Sequence, residues 1–471
     1  MLDKTQKNRR LPVTVKLGYG STGFAAIMTL SIFIMYGMFF LTDAVGLDPA
    51  FAGIILSIGT LWDAITDPLV GSLSDSRDPK KGRRRPFMKW VAIPFGLVAW
   101  LLFTNPGFSP FATKVYFVLI AVAFYTVQTI LDVPYTALGA EMTLDYDERS
   151  SLNGNRNFFA TVSGVISAFT MTFVFFFSDI FGSTSAGWSA TAGLYAIIAT
   201  ITIFIGYKAT EGYELKDITI EKRPNGLEFL KDVMKNKVFL YTAGLFAFSL
   251  ISLTVQNSAM IYYLIYYLGF SEVQISTSLL IAWIPGLLWV PIINKMSQKW
   301  SKKAAWIACM GIWAVGILIF PTFILKPDSS FFLVGIMQLC SGVGLVSQYQ
   351  IVWSMIPDII EVDEFKTGLR REGSYYGIIA FIQKALTALT MLASGTILNM
   401  IGYVPNAEQT VETLNGMKIL IGVGGSVFLV LSIIVAYLNP ITRERHAALT
   451  EAIELKKAGK EYSTQGFKEL L

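Results

Sequence analysis

Charge is scarce in this sequence. Charged types make up 15% of its 471 residues, against roughly 25% in soluble globular chains. That shortage excludes an ordinary soluble enzyme and a disordered chain. Histidine occurs once, as His446, in the polar C-terminal tail. An intramembrane histidine relay and a histidine-ligated metal are therefore ruled out. Cysteine occurs twice, at Cys309 and Cys340, and both lie in apolar runs. No disulfide framework or thiolate metal site is implied. No nucleotide, nucleophile or metal motif stands out, which argues against an enzyme, and no DNA- or RNA-binding motif appears.

What the chain has in place of charge is apolar length. Hydrophobic types reach 53%, and the mean hydropathy is +0.54. A bilayer span takes roughly 20 apolar residues. The pattern places spans near 17–43, 49–74, 90–104, 115–140, 157–182, 187–207, 238–268, 272–294, 304–325, 329–357, 374–400 and 419–438. The runs are continuous rather than alternating, which disfavours a transmembrane barrel. The first run follows a basic stretch and has no cleavage-like site, so it reads as a retained span and not a signal peptide.

The basic residues sort by side. Of 38 Lys and Arg, 34 fall in the two terminal segments and the even-numbered connections, while the opposite loops hold only Lys114, Lys326 and Lys418. By the positive-inside rule both termini and the long central connection are cytoplasmic, as in a multi-pass protein of the cell (inner) membrane. The net charge of +5 then reflects topology and needs no nucleic-acid partner.

The chain also repeats itself. Pro68 and Pro291 are 223 positions apart, and so are Pro134 and Pro357, Glu141 and Glu364, and Phe158 and Phe381. The reading is an all-α membrane protein with twelve transmembrane helices in two six-helix pseudo-repeats, the major facilitator fold. Residues 1–207 form the first bundle, 208–237 a cytoplasmic loop, 238–438 the second bundle and 439–471 a cytoplasmic tail. In such folds the substrate site lies between the repeats near mid-membrane.

An ionisable group at mid-bilayer costs at least about 2.5–3.5 kcal/mol, so the charges left inside the spans point to function. Asp63, Asp67, Asp132 and Lys384 stand out, with Asp43 at a span end. Asp63 and Asp67 are one helical turn apart and share a face. Two carboxylates that close require either a proton or a cation between them. A hard monovalent cation would use their oxygens together with the hydroxyls of Thr66 and Thr129. The other reading is that the acids meet basic neighbours and specify packing. Asp132 precedes the helix-kinking Pro134 and either accepts hydroxyl hydrogens from a polar ligand or pairs with Lys384. Trp62 and Tyr135 are the aromatic candidates for lining a cavity. Asp43 reads as an acid solvated at the interface. Two mixed-charge clusters occupy matching positions, one with Arg149 and Arg156, the other with Asp358, Glu364, Arg370 and Arg371. They read either as solvated loops or as a gate of exchanging ion pairs, with Arg156, Arg370, Asp358 and Glu364 as its candidates.

Several stretches then match one family. They are Trp62-Asp63-Ala64-Ile65-Thr66-Asp67-Pro68, Gly82-Arg83-Arg84-Arg85-Pro86-Phe87, Thr129-Ile130-Leu131-Asp132-Val133-Pro134, Arg370-Arg371-Glu372 and Gly402-Tyr403-Val404-Pro405-Asn406. Through these the chain resembles the glycoside–pentoside–hexuronide:cation symporters (melibiose permease-like) of the major facilitator superfamily, from Lys16 to about Tyr437. The resemblance implies uptake of a glycoside driven by Na⁺, Li⁺ or H⁺. It implies that Asp63, Asp67 and Thr129 belong to the cation site, Asp132 to the sugar site, Lys384 to the neighbourhood of the coupling site and Arg370 to a gate. It departs at Thr66, where the family carries an amide, at Ile27, where a sugar-binding aspartate falls, and at Thr136, where a tryptophan lines the sugar site. The expectation is a cation-coupled symporter of a sugar-like solute, acting as a monomer in the bilayer with no cofactor beyond Na⁺ or H⁺. An uncoupled sugar facilitator and a lysolipid or amphiphile carrier on the same fold stay open.

Overall fold

A computed structural model describes residues 10–77, 82–143, 145–214, 233–369 and 371–471. These residues are helical almost throughout. The helices are α1 Val13–Phe39, α2 Pro49–Asp75, α3 Arg85–Leu102, α4 Pro110–Met142, α5 Tyr146–Ala168, α6 Thr170–Phe181 and α7 Thr184–Ala209. They continue with α8 Lys237–Tyr262, α9 Glu272–Lys299, α10 Lys302–Ile319, α11 Phe331–Thr367, α12 Glu372–Met400, α13 Val411–Ile419, α14 Gly425–Leu438 and α15 Arg443–Lys457. Among the described residues, 11 helices are long and apolar enough to cross a membrane. The count rises to 12 when the pair α5 and α6, bent by 45° at Phe169, is taken as one span. The expected all-helical multi-span architecture is observed.

Local signals set the helix ends. The Asp48 carboxylate accepts from the backbone N–H groups of Ala50 and Phe51, and Pro49 fills the first helical position of α2. Asp145, Ser183, Asn236, Ser301, Ser330 and Thr442 cap other helices in the same way. Gly182, with φ of 76°, closes α6 in the left-handed conformation. One π turn follows α1 (Phe40–Ala44) and another follows α8 (Tyr263–Tyr267), and their starts at 40 and 263 are 223 apart, the spacing of the repeated prolines.

The chain packs into two compact units. The first holds α1–α7 together with residues 270–277 and 391–409, and the second holds, among the described residues, 233–269, 278–369, 371–390 and 410–471. In the first unit α1 lies against α5 and α7, α2 against α4, and α3 against α4 and α7. Glycine makes the α1–α7 approach possible: a Cβ on Gly206 would lie 2.8 Å from the Gly18 carbonyl oxygen and would collide with Thr22 Oγ1. Small residues of this kind are how helices gain contact where no water drives them together. An aromatic cluster fills the core, with Trp188 stacked on Phe103 at 5.7 Å between ring centres, Tyr36 edge-on to it and Phe40 tilted against it. In the second unit α10 packs on α11 and α14, and the buried indoles donate to Ser432 (from Trp306) and Gln256 (from Trp313), each at 3.2 Å. The tail helix α15 buries Leu449, Ala452 and Ile453 against the end of α11.

Candidate functional site

The α2–α4 contact builds the centre of the site. Asp63 is 7% exposed and accepts a hydrogen bond of 2.6 Å from the Thr129 hydroxyl on α4. Thr129 also lies 3.1 Å from the Thr66 hydroxyl. Helical periodicity explains this: Asp63, Thr66 and Asp67 fall on one side of α2, and that side meets the stripe of α4 that carries Tyr125 and Thr129. One turn further along, Thr60 and the buried Tyr125 share a hydrogen bond of 2.9 Å. Asp67 is half-buried beside the group. Trp62 turns elsewhere, donating its indole N–H to Thr126 at 2.8 Å while its ring stays partly exposed. Among the described residues no group of three or more His, Cys, Asp or Glu is placed to hold a metal ion. A cation held here would thus depend on two carboxylates and on hydroxyl oxygens.

Asp132 sits three residues past Thr129 and points to a different neighbour. Its carboxylate is 3.9 Å from the guanidinium of Arg156 on α5, and the two side chains are 41% and 28% exposed. The Arg156 guanidinium stands 5.7 Å above the Tyr135 ring. Tyr135 itself is fully buried, stacked on Tyr19 at 4.5 Å, and donates to the Tyr19 carbonyl at 3.0 Å. It is therefore the floor under Arg156 rather than an open wall. Gly23 on α1 leaves the room: a Cβ there would come within 2.7 Å of the Tyr135 hydroxyl and 3.3 Å of the Arg156 stem. The first unit thus holds two adjoining polar centres, one of carboxylate and hydroxyl oxygens and one of a carboxylate beside a guanidinium. The first can take a small cation, and the second can exchange hydrogen bonds with a hydroxylated solute.

Residues 18–443 match the profile of the family described as MFS/sugar transport protein. The chain belongs to that family. It is 30% identical to the uncharacterized symporter YnaJ of Bacillus subtilis (strain 168) over 430 residues, covering 90% of this chain and 91% of the relative. It is 26% identical to the inner membrane symporter YicJ of Escherichia coli (strain K12), covering 94% of each chain. A proposed sulfoquinovose importer of the same organism is 26% identical over 99% of this chain and 98% of its own. Two solved structures share the fold. A bacterial homologue of the human drug peptide transporters PepT1 and PepT2 has a TM-score of 0.67 at 11% identity, covering 93% of this chain and 99% of that one. The nucleoside transporter NupG has a TM-score of 0.61 at 13% identity, with the same coverages. The molecule is thus a multi-pass membrane transporter of the major facilitator fold, not an enzyme.

The charged candidates of this transporter outside the site find partners within their own unit. Arg83 and Arg84 both bind Glu141, and Arg84 also reaches Ser74 and Asp75. Glu214 at the end of α7 accepts from the backbone N–H groups of Arg83 and Arg84. Glu148 pairs with Lys16 at 2.9 Å, and Arg149 donates to the carbonyls of Thr143 and Ala140 at the end of α4. Arg156 stands apart from these, with Asp132. In the second unit the Lys302 ammonium lies 2.8 Å from each oxygen of Asp358, and His446 lies 2.8 Å from Glu361 and 3.6 Å from Asp358. Glu364 pairs with Lys457 of the tail helix at 2.6 Å, and Asp363 with Arg371. Arg370 lies outside the described residues. Lys384 is half-buried on α12, in the second unit.

Sequence reasoning grouped Arg156 with Arg149 because it began the fifth span at 157. The helix begins at Tyr146, which carries Arg156 into its third turn. The signal was present in Asp145, a helix-capping residue with the helix-forming stretch behind it. Thr60 and Tyr125 went unremarked for want of any charge.

Proposed function

We propose that this transporter is a symporter of the glycoside–pentoside–hexuronide:cation type, coupling Na⁺ or H⁺ to the uptake of a sugar-like solute by alternating access. It works as a monomer in the cell membrane with both termini cytoplasmic. Its two six-span halves, 1–207 and 238–438, are joined by 208–237 and followed by the tail 439–471. The observation that carries the reading is the buried Asp63–Thr129 pair, with Asp67 and Thr66 on the same helix face, next to Asp132 and Arg156. Asp63, Asp67, Thr66 and Thr129 hold the coupling cation. Asp132 accepts hydroxyl hydrogens of the solute, while Arg156 donates to its oxygens. Lys384 serves the coupling site by resemblance. Proximity of the centres supplies the coupling, because a cation on α2 offsets negative charge beside the solute and so favours the doubly loaded state. A ligand shifts access only through such a difference in affinity.

The test is uptake into proteoliposomes with Na⁺ and H⁺ gradients applied separately. The panel is labelled neutral glycosides, hexuronates and a sulfonated sugar, the last included because of the sulfoquinovose importer among the relatives. One gradient should accelerate uptake of at least one solute, and Asp63→Cys or Asp67→Cys should abolish that acceleration in folded protein. Uptake indifferent to both gradients, or unchanged coupling in both variants, overturns the reading.

A further inference from the structure

The Gly402-Tyr403-Val404-Pro405-Asn406 motif has no part in the site above, yet it makes a defined contact. It follows α12 in the segment 391–409 that packs within the first unit. The Tyr403 hydroxyl donates to the Asp43 carboxylate, 2.6 and 2.7 Å from its two oxygens. The Asn406 amide donates to the Asp43 carbonyl at 2.6 Å. Asp43 also accepts from Thr42 at 2.6 Å, and it lies in the π turn that ends the first span. The interfacial solvation expected for this acid is replaced by a tyrosine from 360 positions away.

The loop is shaped in advance for this contact. Asn406 holds a left-handed φ of 54°, and the Gln409 side chain bonds both the N–H and the carbonyl of Val404. Between residues 401 and 410 Tyr403 alone is buried, at 3% exposure, so that side chain is the loop's inward anchor. Behind it α12 meets α2 through glycines. A Cβ on Gly395 would lie 3.0 Å from Gly53 Cα and would strike the Pro49 carbonyl, and a Cβ on Gly53 would lie 2.9 Å from the Met391 carbonyl. Such a backbone-on-backbone face has few side chains to interlock, so it can part without unpacking a core. A charge-assisted pair is the stronger kind of hydrogen bond and is local. A shallow face held at its edge by such polar contacts has the properties of a catch rather than of a permanent seam.

We propose that Asp43, Tyr403 and Asn406 form a releasable extracellular clasp that holds the end of α12 on α2 and opens once per transport cycle. The placement on the extracellular side rests on the orientation given under Proposed function. The test uses full-length protein with Cys309→Ser and Cys340→Ser, and a reporter Ser57→Cys. Ser57 is 5% exposed and lies one turn inward from Gly53 on the same face of α2. The reporter is labelled with a membrane-impermeant maleimide added to right-side-out or inside-out vesicles. Loss of one charge-assisted hydrogen bond corresponds to a change of at least about tenfold in an equilibrium. Tyr403→Phe should therefore raise the labelling rate from the outside at least about tenfold, and Asn406→Ala, at an exposed position, should raise it too. Val404→Ala should leave it unchanged. Equal rates in wild type, Tyr403→Phe and Asn406→Ala overturn the clasp, and so does an increase seen only from the inner side. No solute or coupling ion enters this measurement, so failure to find a driven substrate leaves its outcome intact.

Discussion

Thr129 offers the sharpest test of the cation site, because one hydroxyl joins both halves of the proposed ligand set. It donates to buried Asp63 at 2.6 Å and lies 3.1 Å from Thr66. Thr129→Val keeps the shape and removes the oxygen. A hydrogen bond to a charged group is worth about 1.5–3 kcal/mol net, and a buried carboxylate that loses its donor carries most of that cost. That loss falls on the empty and the loaded site alike and cancels in the affinity; if the hydroxyl oxygen also faces the cation with its lone pairs, the loaded site alone loses a further charge-assisted contact of comparable size. At about 1.4 kcal/mol per factor of ten, the half-saturating Na⁺ concentration should rise by about 10- to 150-fold. Thr129→Ser, which keeps the oxygen, should stay within a few-fold of wild type. The assay is solute uptake against Na⁺ concentration in proteoliposomes, with thermal unfolding run in parallel to confirm folding. If H⁺ is the coupling ion, the same contrast between Val and Ser appears in the response to a pH gradient, and Na⁺ dependence is absent from all three proteins. Equal responses of Thr129→Val and wild type to both ions would refute the role given to this hydroxyl.

Two further outcomes follow from the packing. The Glu361 carboxylate 2.8 Å away, aided by Asp358 and opposed by partial burial and by Lys302, holds the His446 imidazolium above its ordinary value near 6.5. Its hold on the tail is therefore complete below that value and is lost as pH rises through the raised one. Amide protection across residues 443–457, taken relative to the intrinsic exchange rate at each pH, should be higher at pH 6 than at pH 8.5, and His446→Gln should flatten that difference; protection that stays pH-dependent in the variant sinks the assignment. Gly206→Ala places a methyl against the Gly18 carbonyl and Thr22. Overpacking of that kind costs about 1–3 kcal/mol, so the unfolding temperature should fall, whereas Gly154→Ala, with open space around it, should leave it in place.

How far the site was readable depended on which residues had to meet. The Asp63–Asp67 face was readable because both acids lie on one helix, where a turn of 3.6 residues brings them to the same side. Thr129 could be nominated through the resemblance carried by the stretch from Thr129 to Pro134, because α4 has several other hydroxyls that local pattern does not separate from it. Arg156 was assigned to the wrong neighbours because helix onset is weakly encoded, and eleven residues of extra helix moved it from a loop to the side of Asp132. Asp358 and Glu364 were recognised as charged positions, but their partners Lys302, His446 and Lys457 lie on other elements and leave no trace in local pattern.

The sequence by itself determined the class of molecule: a helical membrane protein, with its spans, its repeat and the handful of charges that remain inside. It could do so because a bilayer imposes a one-dimensional rule of apolar length and charge avoidance that each segment obeys alone. Only the tertiary structure decided which of those charges meet. Asp132 with Arg156 and Asp43 with Tyr403 are contacts between distant segments, set by how helices cross and where glycines let them approach. No periodicity along the chain carries that information.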